Sequence, residues 1–378
     1  MKVMFSAGEA SGDVHAAAVA RALRNADPSV EMFGMGGRAM AAAGVRLLRD
    51  IDDLGVIGIA EVVRRLPFFF RLRDELAAAV RHEGPDVLVC VDYPGFNMRL
   101  AHTVHAQGVP VVYYIAPTIW AWHESRGHAI ARDTDAVACI FPFEEAAYRA
   151  MGARATFVGH PLLDTVRPTR SVEAAMRDFG ARASARRLLL LPGSRRQEIE
   201  RLLPFMLEAV RMLGDGHEIQ CFLPRATTIA RERLDSLIAA AGVEVTVTEG
   251  GVYDLMQIAD AALAASGTVT LEAALMGLPT VLVYRVSPLT YWLGRRLVKT
   301  PYIGLPNIVA GRAVIPELLQ GDATPARMAE ELAPLLSDGV RRREMIAALG
   351  EIRTRLGTPG AVMRVAQLVR ETAERAGR

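Results

Sequence analysis

Four consecutive leucines, 188–191, followed by a Pro-Gly-Ser turn, constrain the fold of this chain more than any other stretch. An uninterrupted apolar run of this length predicts a strand buried on both faces, as in a parallel sheet covered by helices. The residues after the turn repeat with a helical period, the apolar positions being Ile199, Leu202, Leu203, Met206, Val210 and Leu213. The segment therefore predicts a strand–turn–helix corner of an α/β fold.

The turn itself, Gly193, Ser194 and Arg195, is a candidate phosphate site. Free backbone N–H groups at the start of a helix favour an anion, and the Arg195 guanidinium adds a fork of donors that suits phosphate oxygens. The same residue types also occur at ordinary corners with solvated arginines, so this motif alone is weak.

A second corner of the same kind strengthens the nucleotide interpretation. A strand of small residues, 261–265, runs into Ser266, Gly267 and Thr268 and then into a helix that carries Glu272. The two turns would bind one diphosphate, and Glu272 would accept from ribose hydroxyls, as carboxylates do in doubly wound folds. The alternative is that Glu272 only complements the helix dipole, and the spacing leaves both open.

Composition excludes several classes of protein. The 378 residues suffice for two domains, and the hydrophobic content of 51% is high, but no apolar run approaches the roughly twenty residues of a membrane span. The 44 basic and 42 acidic residues leave a net charge of +2, so no overall field favours nucleic acid. Three scattered cysteines form neither a disulfide framework nor a metal site, which suits a reducing cytoplasm.

The first strand leads into a glycine-rich loop with two carboxylates. Gly8 and Gly12 allow a ligand to approach the backbone, whereas Glu9 and Asp13 would repel an anion, so the loop favours hydroxyl recognition. The alternative is a structural loop in which Ser11 or Asp13 caps the following helix.

A buried strand at 86–91 ends in the carboxylate of Asp92. Ligands of open α/β sheets bind at the carboxyl ends of the strands, so Asp92 is well placed to act on one, although a capping aspartate would look similar. Trp120 and Trp122 follow the next strand and would line a sugar or acyl site, or pack in the core.

An Asp-x-Asp pattern at 133–135 matches the metal motif of some glycosyltransferases. It precedes the strand at 136–141 instead of following it, which puts it at the opposite edge of the sheet and disfavours a metal role.

A further segment combines aromatic and basic side chains: Phe68, Phe69 and Phe70, flanked by Arg64, Arg65, Arg71 and Arg73. Three consecutive phenylalanines cannot all face one core from a single helix. Apolar rings beside arginines are typical of helices that lie on an anionic membrane surface. The alternative is a helix whose aromatic residues pack partly on the sheet while the arginines are solvated.

Six motifs together resemble the lipid-A-disaccharide synthases over essentially the whole chain. In order they are 7–13 (AGEASGD), 91–97 (VDYPGFN), 120–122 (WAW), 191–195 (LPGSR), 266–268 (SGT) and 305–312 (LPNIVAGR). The resemblance implies a GT-B α/β fold, in which two doubly wound, Rossmann-like domains face a central cleft. We assign 1–165 to an acceptor- and membrane-facing domain, 166–350 to a UDP-sugar-binding domain, and 351–378 to a C-terminal helix.

The resemblance also implies a reaction. Members of this family are inverting, metal-independent glycosyltransferases that join UDP-2,3-diacylglucosamine to 2,3-diacylglucosamine 1-phosphate through a β-1,6 bond and release UDP. By matching position, Asp92 becomes the candidate general base, with Glu9 and Asn307 as further catalytic-site residues and Ser11 on the acceptor side. Arg195 and Glu272 become UDP contacts. His123 departs from the basic residue expected after the Trp-Ala-Trp motif, which puts the role of that position in doubt.

The expected partners are the acylated glucosamine substrates and an anionic membrane surface, with no nucleic acid, no metal and no cofactor beyond the donor sugar. The resemblance implies peripheral attachment to the cytoplasmic face of the inner membrane, and a homodimer with swapped C-terminal segments. Two alternatives from other classes are a UDP-sugar epimerase of the same architecture and a non-catalytic membrane-docking protein.

Overall fold

A computed structural model of the chain describes residues 1–54, 66–119, 125–214, 218–287, 291 and 300–376. The chain forms two compact units, Met1–Pro161 together with Gly357–Arg378, and Leu162–Leu356. No helix in the described ranges is long and apolar enough to cross a membrane.

The first unit contains a seven-stranded parallel sheet in the order β3-β2-β1-β4-β5-β6-β7. Its strands are β1 (Lys2–Ala7), β2 (Glu31–Gly36), β3 (Arg46–Asp50), β4 (Val87–Val91), β5 (Val111–Tyr114), β6 (Ala136–Cys139) and β7 (Ala155–Phe157). Its helices are α1 (Ala10–Ala26), α2 (Arg38–Ala42), α3 (Leu66–Glu83), α4 (Pro94–His105), α5 (Ser125–Asp133), α6 (Pro142–Ala150) and, from the end of the chain, α16 (Ala361–Ala376). A 3₁₀ turn at Ile51–Leu54 follows β3.

Helices cover both faces of this sheet, so its central strand β4 is apolar throughout. Every residue of β4 is fully buried, as expected for a parallel strand between two helical layers. On α3, Leu72, Leu76 and Val80 recur every four residues and are all buried against the sheet, which is why this segment is helical. The last helix, α16, packs against α1 and closes the same unit.

The second unit contains a six-stranded parallel sheet in the order β10-β9-β8-β11-β12-β13. Its strands are β8 (Arg186–Leu191), β9 (Ile219–Arg225), β10 (Val245–Glu249), β11 (Ala261–Ala265), β12 (Thr280–Tyr284) and β13 (Glu317–Leu319). Its helices are α7 (Leu162–Thr165), α8 (Val172–Asp178), α9 (Arg196–Leu213), α10 (Arg231–Ala241), α11 (Val252–Ile258), α12 (Thr268–Leu275), α13 (Leu305–Ala310), α14 (Pro325–Leu336) and α15 (Val340–Arg355). A 3₁₀ turn spans Gln320–Asp322.

The leucine run and its turn form the corner that the sequence predicts. Leu188, Leu189 and Leu190 are fully buried in β8, and α9 begins just after the turn with its apolar positions buried. The prediction of a doubly wound α/β fold is thereby confirmed for both sheets.

Each sheet reverses its strand order at one place. In the first unit the chain turns back between β1 and β4, and in the second between β8 and β11. Loops that leave neighbouring strands in opposite directions open a crevice at the carboxyl edge, where ligands of such folds bind. The topology therefore directs attention to four loops, those after β1, β4, β8 and β11.

Candidate functional site

Asp92 follows β4 directly and lies at the reversal point of the first sheet. Val91 pairs with Ala7 across the ladder between β4 and β1, so Asp92 stands beside the glycine loop that begins at Gly8. Both Asp92 and Tyr93 have φ of 50°, a left-handed conformation that costs a non-glycine residue about 1–3 kcal/mol. Strain of this kind persists only where the surrounding structure enforces it.

The Asp92 carboxylate is half-buried, and its desolvation raises its pKa, an effect that the backbone N–H of Tyr93 partly opposes. A carboxylate with a raised pKa is a better proton acceptor than a solvated one. The N-cap of α4 is Tyr93, not Asp92. The capping alternative for Asp92 is therefore not what the structure shows.

Tyr93 lies over Gly8 and joins the two loops. A methyl group on Gly8 would stand 2.1 Å from the Tyr93 ring, so no larger residue fits there without a shift. Burial raises the pKa of Tyr93, and the nearby charge of Glu9 raises it further. Glu9 and Ser11 are exposed at the start of α1, on the loop next to Asp92.

Asp13 has a structural role that the sequence did not reveal. Its carboxylate accepts from the N–H groups of Gly37 at 2.7 Å, Ala39 at 2.9 Å and Met40 at 3.1 Å. It therefore satisfies the free N–H groups at the start of α2. The expectation that Ser11 or Asp13 caps α1 is wrong, because α1 begins at Ala10 with Glu9 at the N-cap.

The first corner of the second unit presents exposed donors at the start of α9. Gly193 adopts a φ of 108°, and the Arg195 side chain, at the N-cap, is 83% exposed. Arg195 Nη1 pairs with Glu198 Oε1 at 3.0 Å, while Glu198 Oε2 accepts from the Arg195 N–H at 3.3 Å. Ser194 is also exposed.

The second corner is its neighbour in the same sheet, since Leu191 pairs with Ala264. Gly267 is the N-cap of α12 without a side-chain cap, and a methyl group on it would meet nothing within 4 Å. Gly267 and Thr268 are exposed, and Ser266 is partly buried. Both turns of the predicted diphosphate site thus lie at the reversal point of the second sheet.

Glu272 is the fifth residue of α12, beyond its first turn, and is half-buried. Burial raises its pKa. Burial, and secondly the charge of Glu272, raises the pKa of Tyr253 to about 12. Helix dipole effects fade beyond the first turn, so the dipole alternative is disfavoured. A desolvated carboxylate is a strong acceptor for ligand hydroxyls.

Asn307 is buried and engaged within the protein. Its Nδ2 donates to Ile315 O at 2.9 Å and Glu317 Oε1 at 2.7 Å, and its Oδ1 accepts from Val314 N at 2.7 Å and Ile315 N at 2.9 Å. These bonds hold the segment that leads into β13. A catalytic contribution of Asn307 stays a prediction.

The Phe/Arg segment divides between core and surface. Phe68 and Phe69 pack partly buried against the core of the first unit, whereas Phe70 is 43% exposed. The Cζ atoms of Arg73 and Arg99 lie 5.4 Å and 5.9 Å from the centroid of the Phe70 ring. Arg71 is exposed. Arg64 and Arg65 of this segment lie outside the described residues, as do Trp120, Trp122 and His123.

The Asp-x-Asp motif is occupied by protein contacts. Asp133 pairs with Arg132 at 2.7 Å and His102 at 3.0 Å. Asp135 accepts from the Val111 N–H at 2.9 Å. Both aspartates precede β6, at the amino edge of the sheet, as the sequence predicts.

Sequence reasoning gave no role to Asn97 and Tyr113, which the structure places against the Asp92 backbone. Asn97 is part of the 91–97 motif, so its inclusion there was the available signal. Tyr113 sits within an apolar strand and carries no such signal.

A model of the lipid-A-disaccharide synthetase family matches residues 3–369 of the chain. The lipid-A-disaccharide synthase of Myxococcus xanthus is 46% identical over 372 residues, covering 98% of this chain and 97% of that protein. The enzyme of the same name from Geobacter sulfurreducens is 44% identical over 371 residues, with the same coverage.

Solved structures show the same architecture at much lower identity. A putative UDP-N-acetylglucosamine 2-epimerase from Listeria monocytogenes superposes with a TM-score of 0.69 at 15% identity, covering 99% of this chain and 97% of that one. The glycotransferase of kitacinnamycin superposes with a TM-score of 0.65 at 17% identity, covering 98% of both chains. These likenesses show the fold alone.

Proposed function

The chain belongs to the lipid-A-disaccharide synthase family, a group of UDP-sugar glycosyltransferases of lipid A biosynthesis, and we propose a residue-level mechanism for it. The reaction joins UDP-2,3-diacylglucosamine to 2,3-diacylglucosamine 1-phosphate. The acceptor hydroxyl attacks the anomeric carbon, the bond from that carbon to UDP breaks, and the β-1,6-linked disaccharide 1-phosphate forms with inversion.

The observation that carries the mechanism is the half-buried Asp92, with its raised pKa, at the reversal point of the first sheet. Asp92 takes the proton of the acceptor hydroxyl as the new bond forms. Glu9 and Ser11, exposed on the adjoining loop, bind the acceptor sugar. Such carboxylate and hydroxyl groups suit hydrogen bonds to sugar hydroxyls.

The second unit binds the donor. Gly193, Ser194 and Ser266 to Thr268 present backbone N–H groups at two neighbouring helix starts, and Arg195 adds a cation. These groups stabilise the charge that grows on the departing diphosphate. Glu272 accepts from the ribose hydroxyls. The mechanism requires no metal ion, because Arg195 and the two helix N-termini stabilise the diphosphate charge that a metal cation stabilises in other transferases.

Membrane attachment is part of the proposal, because both substrates carry acyl chains. Phe70, exposed between Arg73 and Arg99, gives the first unit an apolar ring within a basic surface. Rings of this kind insert at the headgroup boundary, and nearby arginines attract anionic lipid. We place the protein at the cytoplasmic face of the inner membrane.

The test is a product analysis with and without the acceptor. The protein is incubated with UDP-2,3-diacylglucosamine and the products are identified by mass. We expect the disaccharide 1-phosphate and UDP in equal amounts, only when acceptor is present, and at the same rate in EDTA. Acceptor-independent release of UDP would favour an epimerase, and a loss in EDTA that divalent metal restores would contradict the metal-free mechanism.

A further inference from the structure

We propose that Asn97 and Tyr113 are positioning residues, which fix the strained backbone of Asp92 so that its carboxylate is held ready to accept a proton. The inference rests on the proposed function of Asp92 as the base. It assigns two fully buried residues a measurable effect on turnover.

Asn97 joins the ends of the two strands that flank the reversal point. Its Nδ2 lies 3.1 Å from Ser6 O, 3.2 Å from Val91 O and 2.8 Å from Asp92 O. Its Oδ1 accepts from the Ser6 hydroxyl at 2.6 Å. Asn97 is fully buried. An amide without access to water must make its hydrogen bonds inside the protein, so this geometry is strongly determined.

The peptide of Asp92 is held from three directions. Its carbonyl accepts from Asn97 Nδ2 and, at 3.0 Å, from the hydroxyl of Tyr113. Its N–H donates to Tyr114 O at 3.0 Å. Tyr113 is itself fully buried in β5. The donors to the carbonyl therefore come from two elements, α4 and β5.

These bonds account for the two consecutive left-handed residues. Without them, Asp92 and Tyr93 would relax toward a common backbone conformation. The Asp92 side chain leaves the backbone at this point, so relaxation would redirect the carboxylate. A shift of about 1 Å in a reacting group can lower the rate by roughly 10²-fold.

The alternative is that Asn97 contributes only to stability. Leu100 is the matched control, because it is fully buried on the same helix, one turn further on. Its apolar side chain makes none of the hydrogen bonds to the Asp92 backbone. Leu100→Ala lowers stability through the core. Any loss of turnover that it shares with Asn97→Ala belongs to stability.

The experiment measures kcat, KM, UDP affinity and melting temperature for Asn97→Ala, Tyr113→Phe and Leu100→Ala. We expect Asn97→Ala to lower kcat by about 10²-fold, with UDP affinity unchanged. Tyr113→Phe removes one hydroxyl, keeps the ring, and should lower kcat by about 2- to 10-fold. Leu100→Ala should lower the melting temperature while kcat of the folded enzyme stays near wild type.

The same substitutions are then made in the Asp92→Asn background. A residue that acts through Asp92 has nothing left to position there, so Asn97→Ala and Tyr113→Phe should cost little further turnover. Independent, multiplying losses would overturn the inference while leaving Asp92 as the base. Wild-type turnover of Asp92→Asn itself would instead refute the proposed base. If Asn97→Ala does not fold, Tyr113→Phe still decides.

Discussion

The carboxylate of Glu198 lies over Gly193, where a methyl group on the glycine would come within 2.3 Å of Glu198 Oε2. Glu198 also binds the N–H and the guanidinium of Arg195. The turn after β8 is therefore a compact arrangement in which glycine, cap and cation depend on each other.

We first predict that Gly193→Ala disrupts this turn. The φ of 108° disfavours any side chain, and the new methyl group would push Glu198 away from Arg195. A substitution that cannot adopt the native backbone destabilises by more than about 1 kcal/mol. Calorimetry should show weaker UDP binding and a lower melting temperature. Unchanged values for both would mean that the turn tolerates a different conformation.

The second prediction concerns Arg195→Ala, which removes the exposed cation and its pair with Glu198 but keeps the glycine at position 193. UDP binding should weaken by about 1.5–3 kcal/mol, the range for hydrogen bonds to charged groups. Arg196→Ala is the matched control, because Arg196 is exposed on the same turn and pairs with Glu200 instead. Equal UDP affinity of wild type and Arg195→Ala in calorimetry would contradict the phosphate role.

The third prediction is that Asp92→Asn lowers turnover while raising stability. Loss of a positioned general base costs roughly 10²–10⁴-fold in rate. Burial raises the pKa of Asp92 above its ordinary value of 3.8. Its ionisation is therefore costlier in the folded than in the unfolded state, and folding stability falls as pH rises from about 4 through the raised pKa. An asparagine side chain does not ionise, so Asp92→Asn does not lose folding stability in this way.

The melting temperature of Asp92→Asn should accordingly exceed that of wild type at neutral pH, and the difference should disappear below about pH 4. UDP affinity should stay the same, because the proposed donor contacts lie on the other unit. Turnover within a few-fold of wild type would show that another group is the base.

The two strand–turn–helix corners, and the position of Asp92 at the end of a buried strand, were predictable because their signals are local. A buried strand followed by a turn and a helical period identifies a corner without knowledge of distant residues. Asp13 and Asn97 were not predictable in this way. Asp13 bonds to residues 24 to 27 positions away, and Asn97 bonds to Ser6, 91 positions away. Only the folded sheet brings these groups together.

The phenylalanine run shows a second limit. Its composition predicts that the three rings differ in environment, which is confirmed, but not which ring is exposed. That depends on how α3 is rotated against the sheet, as fixed by Leu72, Leu76 and Val80. A triple substitution of 68–70 would combine core and surface effects, so single substitutions are the sharper test.

The fourth prediction is a loss of stability in mild acid caused by His160. Burial, and secondly the charge of His15, lowers the pKa of His160 from 6.5 to about 3. Between these pH values His160 binds a proton in the unfolded chain but not in the folded one. The folding stability therefore falls as pH drops below about 6.5 and continues to fall toward pH 3. The slope is about 1.4 kcal/mol per pH unit for this one group.

His160→Gln should flatten the decline in unfolding free energy between pH 6.5 and 5, measured by urea denaturation. His128→Gln, at an exposed histidine, is the control variant. The His160 ring also packs against the Phe141 ring, with 5.0 Å between the ring centroids. The variant will therefore be less stable overall, so the quantity to compare is the slope of the unfolding free energy against pH. A slope equal to wild type would exclude His160 as the source.

The last prediction separates membrane contact from core packing with two adjacent residues. Phe70→Ser should reduce binding to anionic vesicles and leave the melting temperature nearly unchanged, because the ring is exposed between Arg73 and Arg99. Phe69→Ser should lower the melting temperature, since the Phe69 ring packs on the core, with its centroid 6.3 Å from that of the Phe96 ring. The loss in unfolding free energy should stay below the roughly 3–5 kcal/mol that truncation of a fully buried phenylalanine costs. Raised salt should release the wild type, because each arginine near the surface contributes about 1 kcal/mol of screened attraction. If Phe70→Ser binds vesicles as wild type does, Phe70 does not carry the proposed membrane contact.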